Sequence, residues 1–471
     1  MPATVTRVRF PVRFARSVQT IARKLNGHAK EDLKKVISLE GLRAASIEEK
    51  FGVFFGRDSI LASIALLETY RIRPLRKEIL VPVKNSLITM AKTQGKTVNH
   101  RREEEPGKIV HEIRHENIHA NQKRLIDLKN TGWPVEVGKN GILSMQYYGS
   151  VDSTPLFVVL ACDYINLTRD FEFGSWLRPY IKRCITWMEK YGDSDGDGLL
   201  EFSAKNRLAI LNQGWQDSGN SIESSPGRRP KEPIALVEVQ GYAYRAYLEA
   251  AHLFRRGGDY EYAKHLYQRA GTLKTKFNRD FWMNDLQFFA HALDGDKNHV
   301  KDIKSNVGHL LWSGIVEDSK KTTVVDRLMQ PDMLTPYGIR TLSSKSFNYS
   351  DEEPWAYHNG SIWPHDNYII ISGLKKAGFQ KESEIVRNCL FMGLSKLNKM
   401  NDSNKNLELY LVNRDNKIRE YSDSCKPQAW TLTSLLALTE ESMNASSGLS
   451  DLDFKIEAHE LNFLHLPRFD T

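Results

Sequence analysis

The chain has 471 residues, 41% hydrophobic and 26% charged, with 66 Lys and Arg against 58 Asp and Glu for a net charge of +8. With a mean hydropathy of −0.47 and no apolar run long enough to cross a bilayer, composition excludes a membrane-spanning protein. The basic excess is spread too thinly for a nucleic-acid-binding surface. Cys162, Cys184, Cys389 and Cys425 show no C-x-x-C spacing, so neither a zinc site nor a disulfide framework is expected, and a cytoplasmic location in a reducing environment fits best.

At the N-terminus, Arg7, Arg9, Arg13, Arg16, Arg23, Lys24 and Lys30 all precede the first acid, Glu31. Transit sequences share that bias, but the apolar alternation of Val8, Phe10, Val12 and Phe14 favours a basic extension over residues 1–50, packed on the main domain. No apolar h-region follows the first basic residues, so no secretory signal is read, and the Asn-x-Ser/Thr matches at Asn166, Asn348 and Asn444 are chance. Helical periodicity then dominates. Ile60, Ile64 and Leu67 open an early helix. Leu156, Val159, Leu160 and Tyr164 share one face, and Leu177, Ile181, Cys184 and Met188 share another, which makes a helical hairpin. Ala243, Tyr247, Ala250 and Phe254, followed by Arg-Arg-Gly-Gly-Asp and then Ala263, Leu266, Ala270, Leu273 and Phe277, make a second. Val386, Leu390, Leu394 and Leu397 mark a late helix, and Ala429 to Thr439 the last. Strand-like alternation is scarce.

Several hairpins without a short regular repeat leave an α-solenoid or a closed toroid. Polar-aromatic clusters precede helix starts at Phe55–Ser59, Tyr147–Thr154, Gln213–Ser221, Trp355–Asp366 and Lys426–Trp430. That arrangement favours a toroid whose functional loops gather at one end, over residues 51–445, with a C-terminal tail over 446–471.

The densest chemistry lies between Trp355 and Asp366. Trp355, Tyr357 and Trp363 offer flat faces to the C–H side of a sugar ring, while His358, Asn359, His365 and Asp366 can hydrogen-bond its hydroxyls. The plainer reading is a polar loop with Asp366 or Asn367 capping the next helix. A second cluster, Asn212 to Ser221, carries Asp217 beside Trp215. Desolvation there would raise the pKa of Asp217 and fit it for general-acid work, whereas the plainer reading makes Asp217 or Ser218 a helix N-cap. Glu238 and Gln240 can bind hydroxyls or cap. Glycoside hydrolysis needs a second carboxylate, and Asp58, Asp152, Glu238, Asp366, Glu408 and Glu420 all qualify; spacing alone does not separate inversion from retention.

Asp193-Ser-Asp195-Gly-Asp197-Gly198 matches the first half of a calcium loop, so Asp193, Asp195 and Asp197 are candidate ligands of a structural calcium ion. The twelfth position is Ala204, which excludes a full EF-hand; Glu201 can substitute as a ligand, and an ordinary Asp-Gly turn is the alternative. Walker, H-E-x-x-H and G-x-S-x-G motifs are absent from the sequence.

Taken in order, these clusters resemble the amylo-α-1,6-glucosidase (glycogen-debranching-like) family. The resemblance runs through Phe55-Gly-Arg-Asp-Ser59, Glu105-Pro-Gly-Lys-Ile109 with His111-Glu112, Tyr148 to Leu156, Asp193 to Gly198, Asn212 to Ser221, Pro233 to Tyr242, His358 to Asn367 and Pro427-Gln-Ala-Trp430. It implies an all-α (α/α)6 toroid and an inverting, exo-acting glycosidase that needs no cofactor, with Asp217 as general acid. Relatives carry P-E-L-F before the P-Q-A-W motif; Leu407-Glu408-Leu409-Tyr410 stands in that place, which makes Glu408 the implied base. The proline is missing, and Asp415, Glu420 and Asp423 follow nearby. The resemblance also implies that Arg57, Asp58, Asp152, Trp215, Glu238, Gln240, His358, Asn359, Trp363, His365 and Trp430 form the sugar pocket. Many relatives carry an N-terminal β-sandwich for which residues 1–50 are too few, so an oligosaccharide or small glucoside is the expected partner. The rivals are a toroid hydrolase or phosphorylase acting on another sugar or acceptor, and a non-catalytic carbohydrate-binding protein.

Overall fold

The computed structural model describes residues 5–9, 12–115, 119–138, 141–400, 406–444 and 453–457. Helices dominate: α1 (Val12–Val36), α2 (Gly56–Ile72), α3 (Leu80–Lys92), α4 (His119–Asn130), α5 (Ser153–Thr168), α6 (Phe171–Lys190), α7 (Val237–Arg256), α8 (Tyr260–Asp280), α9 (Gly308–Ser313), α10 (Asp318–Leu328), α11 (Pro364–Lys376), α12 (Gln380–Met400) and α13 (Ala429–Asn444). Helices α2, α5, α7, α9, α11 and α13 pack side by side in that order, and α13 returns to α2 to close a ring. Around them, α3, α6, α8, α10 and α12 each pack on the inner helix that precedes them, while α1 packs on α13 and α12. This is the (α/α)6 toroid.

The two rings differ in composition for a physical reason. An inner helix is covered on every side, so α5 is buried without interruption from Ser153 to Cys162 and needs apolar or small residues all round. The outer helix α8 buries little more than the stripe Ala263, Leu266, Ala270, Leu273 and Phe277. Each Leu or Phe of such a stripe contributes roughly 1.5–3 kcal/mol when fully buried.

Ring closure adds a polar clamp. Glu440 on α13 is fully buried and pairs with Arg73 (2.7 Å), Arg76 (3.0 Å) and Lys30 (3.5 Å). Asn26 on α1 donates to Thr439 Oγ1 at 2.8 Å and to Glu440 Oε1 at 3.3 Å. The segment Val5–Arg9 pairs antiparallel with Asp453–Glu457. Phe10 of the expected alternation, and the rest of the tail beyond residue 444, lie outside the described residues.

The strands are short and mostly paired in twos, apart from one three-stranded sheet and one larger one. Phe54–Phe55, Glu112–His115, Leu143–Tyr147 and Val135–Val137 form, in that order, a four-stranded antiparallel sheet. Alternation does not reveal it because Glu112 and Arg114 are themselves buried and bonded to each other. The sheet delivers the chain into α2: Phe55 pairs with Glu112, and the next residue, Gly56, donates its N–H to His111 O at 2.8 Å. A Cβ at Gly56 would lie 2.1 Å from Val110 O, so only glycine fits there. The adjoining Arg57 and Asp58 are thereby set in the first turn of α2.

Candidate active site

The N-terminal ends of α2, α5, α11 and α13 meet at one end of the ring. Arg57 on α2 reaches Asp152 at the start of α5, and Gln428 before α13 donates to Asp58. His365 on α11 stacks on Trp430 of α13, with ring centres 3.8 Å apart. Between these ends opens a narrow cleft lined by Phe51, Phe55, Arg57, Asp58, Trp215, Asp217, Tyr357, His358, Trp363, Glu408, Gln428 and Trp430. The positive ends of the helices suit a site rich in carboxylates. Its open volume is about 50 Å³.

Three carboxylates and one guanidinium line the cleft. Arg57 is 3% exposed; its Nη2 donates to Asp217 Oδ2 at 2.8 Å, and its Nη1 to Gly214 O at 2.8 Å and Asp152 Oδ2 at 3.4 Å. Burial raises the pKa of Asp217 even though Arg57 opposes the shift. The same two effects leave Asp58 at about 7, with Asp217 and Asp152 adding like-charge repulsion. No helix follows Asp217, and the next one, α7, begins at Val237, so the N-cap reading of Asp217 and Ser218 fails.

Glu408 faces this group from the segment between α12 and the strand Tyr410–Val412. Its Oε2 accepts from Cys425 N–H at 3.1 Å, and its Oε1 from Tyr357 OH at 3.2 Å and Gln428 Nε2 at 3.4 Å. Burial, opposed by the Cys425 N–H and assisted by the charge of Asp58, pushes Glu408 up to about 8. The backbone fixes its position: Glu408 N–H donates to Cys425 O at 3.1 Å, and Tyr410 exchanges hydrogen bonds with Ile362 at 2.8 and 3.1 Å.

The aromatic wall is continuous. The Trp215 ring meets His358, Trp363 and His365 edge to face, and Trp363 stacks on His358 at 5.1 Å. Ser218 N–H donates to His358 Nδ1 at 3.2 Å, which places the ring proton on Nε2 as a donor. Burial, then the charges of Lys304 and Arg57, keep this imidazole neutral, well below the ordinary histidine range.

Other residues expected in the pocket stand behind its wall. Asp152 is fully buried, accepting from Ser150 Oγ at 2.6 Å and from Arg57. Gln240 spends its amide on Leu200 N (2.9 Å), Leu200 O (2.6 Å) and Leu236 O (3.0 Å), so it pins a loop to α7 instead of offering itself to a hydroxyl. Asn359 accepts from Lys304 at 2.8 Å and donates to Asn220 O at 2.8 Å. Glu238 is 1% exposed, lies outside the cleft lining and is pushed by burial up to about 8. His365 too lies outside the lining, supporting Trp430. Asp366 neither lines the cleft nor caps α11: it accepts from His309 Nε2 at 2.8 Å, the helix N-cap is Trp363, and Trp355 is 63% exposed.

Sequence reasoning missed Gln428 as a bridge between Asp58 and Glu408, although the P-Q-A-W motif contains it, and missed the Tyr357 hydroxyl as a partner of Glu408. It also missed Lys304, for which no motif gives a signal. That fully buried ammonium donates to Gln216 Oε1 (3.0 Å), His358 O (3.1 Å) and Asn359 Oδ1 (2.8 Å), tying the loop that carries Asp217 to the loop that carries His358. Burial lowers it to about 8, against the pull of Asp302, Glu238 and Asp366.

The carboxylates of Asp193, Asp195 and Asp197 do converge, with one oxygen from each within 4.8 Å of the others. A lysine takes the position expected of a cation: Lys297 Nζ lies 2.6 Å from Asp195, 2.9 Å from Asp197 and 3.1 Å from Glu201. Asp193 Oδ1 and Asp197 Oδ2 are buried without a hydrogen-bond partner, the second of them 2.9 Å from Lys297 Nζ. Calcium takes 6–8 oxygen ligands, and this set, already bonded to an ammonium, does not fit a resident calcium ion.

The profile of the amylo-alpha-1,6-glucosidase family matches residues 142–437. The chain belongs to that family. No curated protein matches the sequence. Among solved structures, the GH63 mannosylglycerate hydrolase from Thermus thermophilus in complex with glucose is 12% identical, with a TM-score of 0.62, covering 88% of this chain and 99% of that one. The same hydrolase in complex with Tris is 13% identical, with a TM-score of 0.60 and the same coverage. A glycosidase variant is 10% identical, with a TM-score of 0.55, covering 92% and 99%. At these identities the likeness is one of fold. With the family match it makes this toroid a glycoside hydrolase. Among the described residues, no helix of this family member is long and apolar enough to cross a membrane.

Proposed function

We propose that the protein is an inverting, exo-acting α-glucosidase of small glucosides or oligosaccharides, with Asp217 as general acid and Glu408 as general base. The observation that carries this reading is that Asp217 and Glu408, 191 positions apart in the chain, line one cleft with an arginine and a tryptophan wall between the helix ends. Asp217, in its protonated form, donates its proton to the glycosidic oxygen as the C1–O bond breaks. Glu408, ionised, takes a proton from a water that attacks C1 from the opposite face, and the sugar leaves with its anomeric configuration inverted. Arg57, Asp58 and His358 Nε2–H hold hydroxyls, while Trp215, Trp363 and Trp430 cover the apolar side of the ring. The reactive form has a proton on Asp217 and none on Glu408, so turnover rises as pH passes the pKa of Glu408 and falls when Asp217 loses its proton.

The fold likeness to a mannosylglycerate hydrolase supports a second reading, in which the sugar is joined to a small acid. Four free cysteines, all buried, fit a reducing cytosol. The test is sugar release from maltose, isomaltose, panose, limit dextrin, small α-glucosides and glycosylated small acids, with the anomer read by proton NMR. Release of β-glucose that is lost in both Asp217→Asn and Glu408→Gln is the expected result. Release of the α anomer would overturn inversion, and release only from a glycosylated acid would favour the second reading.

A further inference from the structure

Away from the cleft, a second cavity of about 510 Å³ is lined by Pro331, Arg340, Ser344, Lys345, Arg414 and Asn416. Three of these six residues are cations and none is an acid. Arg340 is the unusual member: it is 2% exposed, its Nη1 donates only to Tyr349 OH at 3.0 Å, and its Nε is buried with no hydrogen-bond partner. Arg414 approaches the same tyrosine, the two guanidinium carbons lying 5.4 and 5.1 Å from its ring centre, and donates to Ser344 O at 3.2 Å. Lys345, beside Ser344, is exposed, and among the described residues none of the three cations makes an ion pair. Two carboxylates send their field to Arg340: Asp332, whose oxygens are held by Arg327 at 3.1 and 2.7 Å, and Asp351.

A buried guanidinium normally has a counter-charge, because removing it from water is costly unless its donors are matched. Here Arg414 repels Arg340, and the wall supplies no negative group. A ligand that balances three cations carries more than one negative charge and several acceptor oxygens. A carboxylate offers one charge; a phosphoryl group offers −1.5 to −2 and three oxygens for the arginine forks. We propose that this cavity is a binding site for a phosphate group, free or carried by a sugar. It shares no residue with the catalytic cleft, so it stands or falls apart from the glucosidase reading. It is tied to that cleft through the chain: Arg414 and Asn416 lie in the turn of the hairpin Tyr410–Val412 and Ile418–Glu420, which begins two residues after Glu408.

The test is calorimetric titration of the full chain with inorganic phosphate, glucose 6-phosphate and glucose at low ionic strength. Saturable binding of phosphate is expected, weakened about tenfold or more in the double variant Lys345→Gln, Arg414→Gln, whose residues are exposed and so spare the fold. Glu408→Gln is expected to bind phosphate as the unaltered protein does. Tighter binding of glucose 6-phosphate than of phosphate, with none of glucose at this site, identifies a sugar phosphate as the ligand; equal binding identifies free phosphate. No saturable binding at millimolar phosphate, or binding unchanged in the double variant, overturns the proposal. Arg340→Lys, checked for folding by circular dichroism, adds a third reading: retained charge without the fork weakens binding if the guanidinium contacts the ligand.

Discussion

Two clusters of three carboxylates sit in this molecule and differ in how their charge is balanced, although burial raises Asp193 of the loop as it does the acids of the cleft. In the cleft, Asp58 and Asp217 share the charge of Arg57, and burial raises both of them and Glu408. In the 193–201 loop, partial burial also works against ionisation of Asp195, but the bond and charge of Lys297 outweigh it and hold that acid below its ordinary value. The first cluster favours the protonated form of its acids. The second is a solvated structural knot with its own cation. What separates them is the placing of one lysine, not the residue types or exposure alone, since the Asp217 and Asp195 side chains are 33% and 34% exposed.

The largest effect that probes this contrast is on turnover. Asp217→Asn and Glu408→Gln are each expected to lower kcat by about 10²–10⁴-fold, the range for loss of a general acid or base, with thermal midpoints nearly unchanged. Retained activity in either would remove that residue from the reaction.

Next comes stability against pH, best read at Glu238, which is 1% exposed and raised to about 8. Because its folded value exceeds its ordinary 4.5, its contribution is fully present below about 4.5 and is lost as pH rises through about 8. The unaltered protein therefore loses on the order of a few kcal/mol between these limits, and Glu238→Gln flattens that slope in urea titrations at several pH values. Asp195 has the reverse sign: its depressed value means stability present at neutrality and lost on acidification. A Glu238→Gln protein with an unaltered slope would show that the group ionises freely in the fold.

A smaller effect is expected from Lys304→Met, which removes the tie between the Asp217 and His358 loops and leaves three acceptors unmatched. A fall in kcat of about tenfold, with a lowered thermal midpoint, follows from loosened positioning. A midpoint shift with kcat intact would mean that the lysine only holds the fold. The smallest effect is at Lys297. The thermal midpoint of the unaltered protein is expected to be indifferent to calcium and to EDTA, while Lys297→Gln, with its acids released from their ammonium, loses a degree or two, in keeping with partly exposed pairs worth about 0–1 kcal/mol each. Stabilisation of the unaltered protein by calcium would show that the ion displaces Lys297.

Much of the fold was legible because burial in a helix leaves a period. Leu177, Ile181, Cys184 and Met188, spaced by four, three and four, are all fully buried on α6. The sheet around Glu112 and Arg114 was not legible, since buried polar residues that satisfy each other erase the alternation. In the site, Arg57, Asp58, Trp215, Asp217, His358, Trp363, Glu408 and Trp430 all line the cleft, each within a local motif. Gln240, Asn359 and Asp152 sit in motifs of the same kind yet serve the wall, because a motif records that a side chain is constrained, not what constrains it.

By itself, then, the sequence determined the helical toroid and the family, and it singled out Asp217 as candidate acid with Glu408 as the base the resemblance implies, because periodicity and short motifs are local properties that survive without coordinates. The tertiary structure decided which of six carboxylates share a cleft. It set Asp152 behind Arg57, Glu238 outside the lining, Asp366 on His309 and Glu420 on Lys426. It also decided that the acidic loop holds a lysine and that Lys304 joins two loops 140 residues apart. Those outcomes depend on burial and on contacts between segments remote in the chain, and neither quantity is written in the order of the residues.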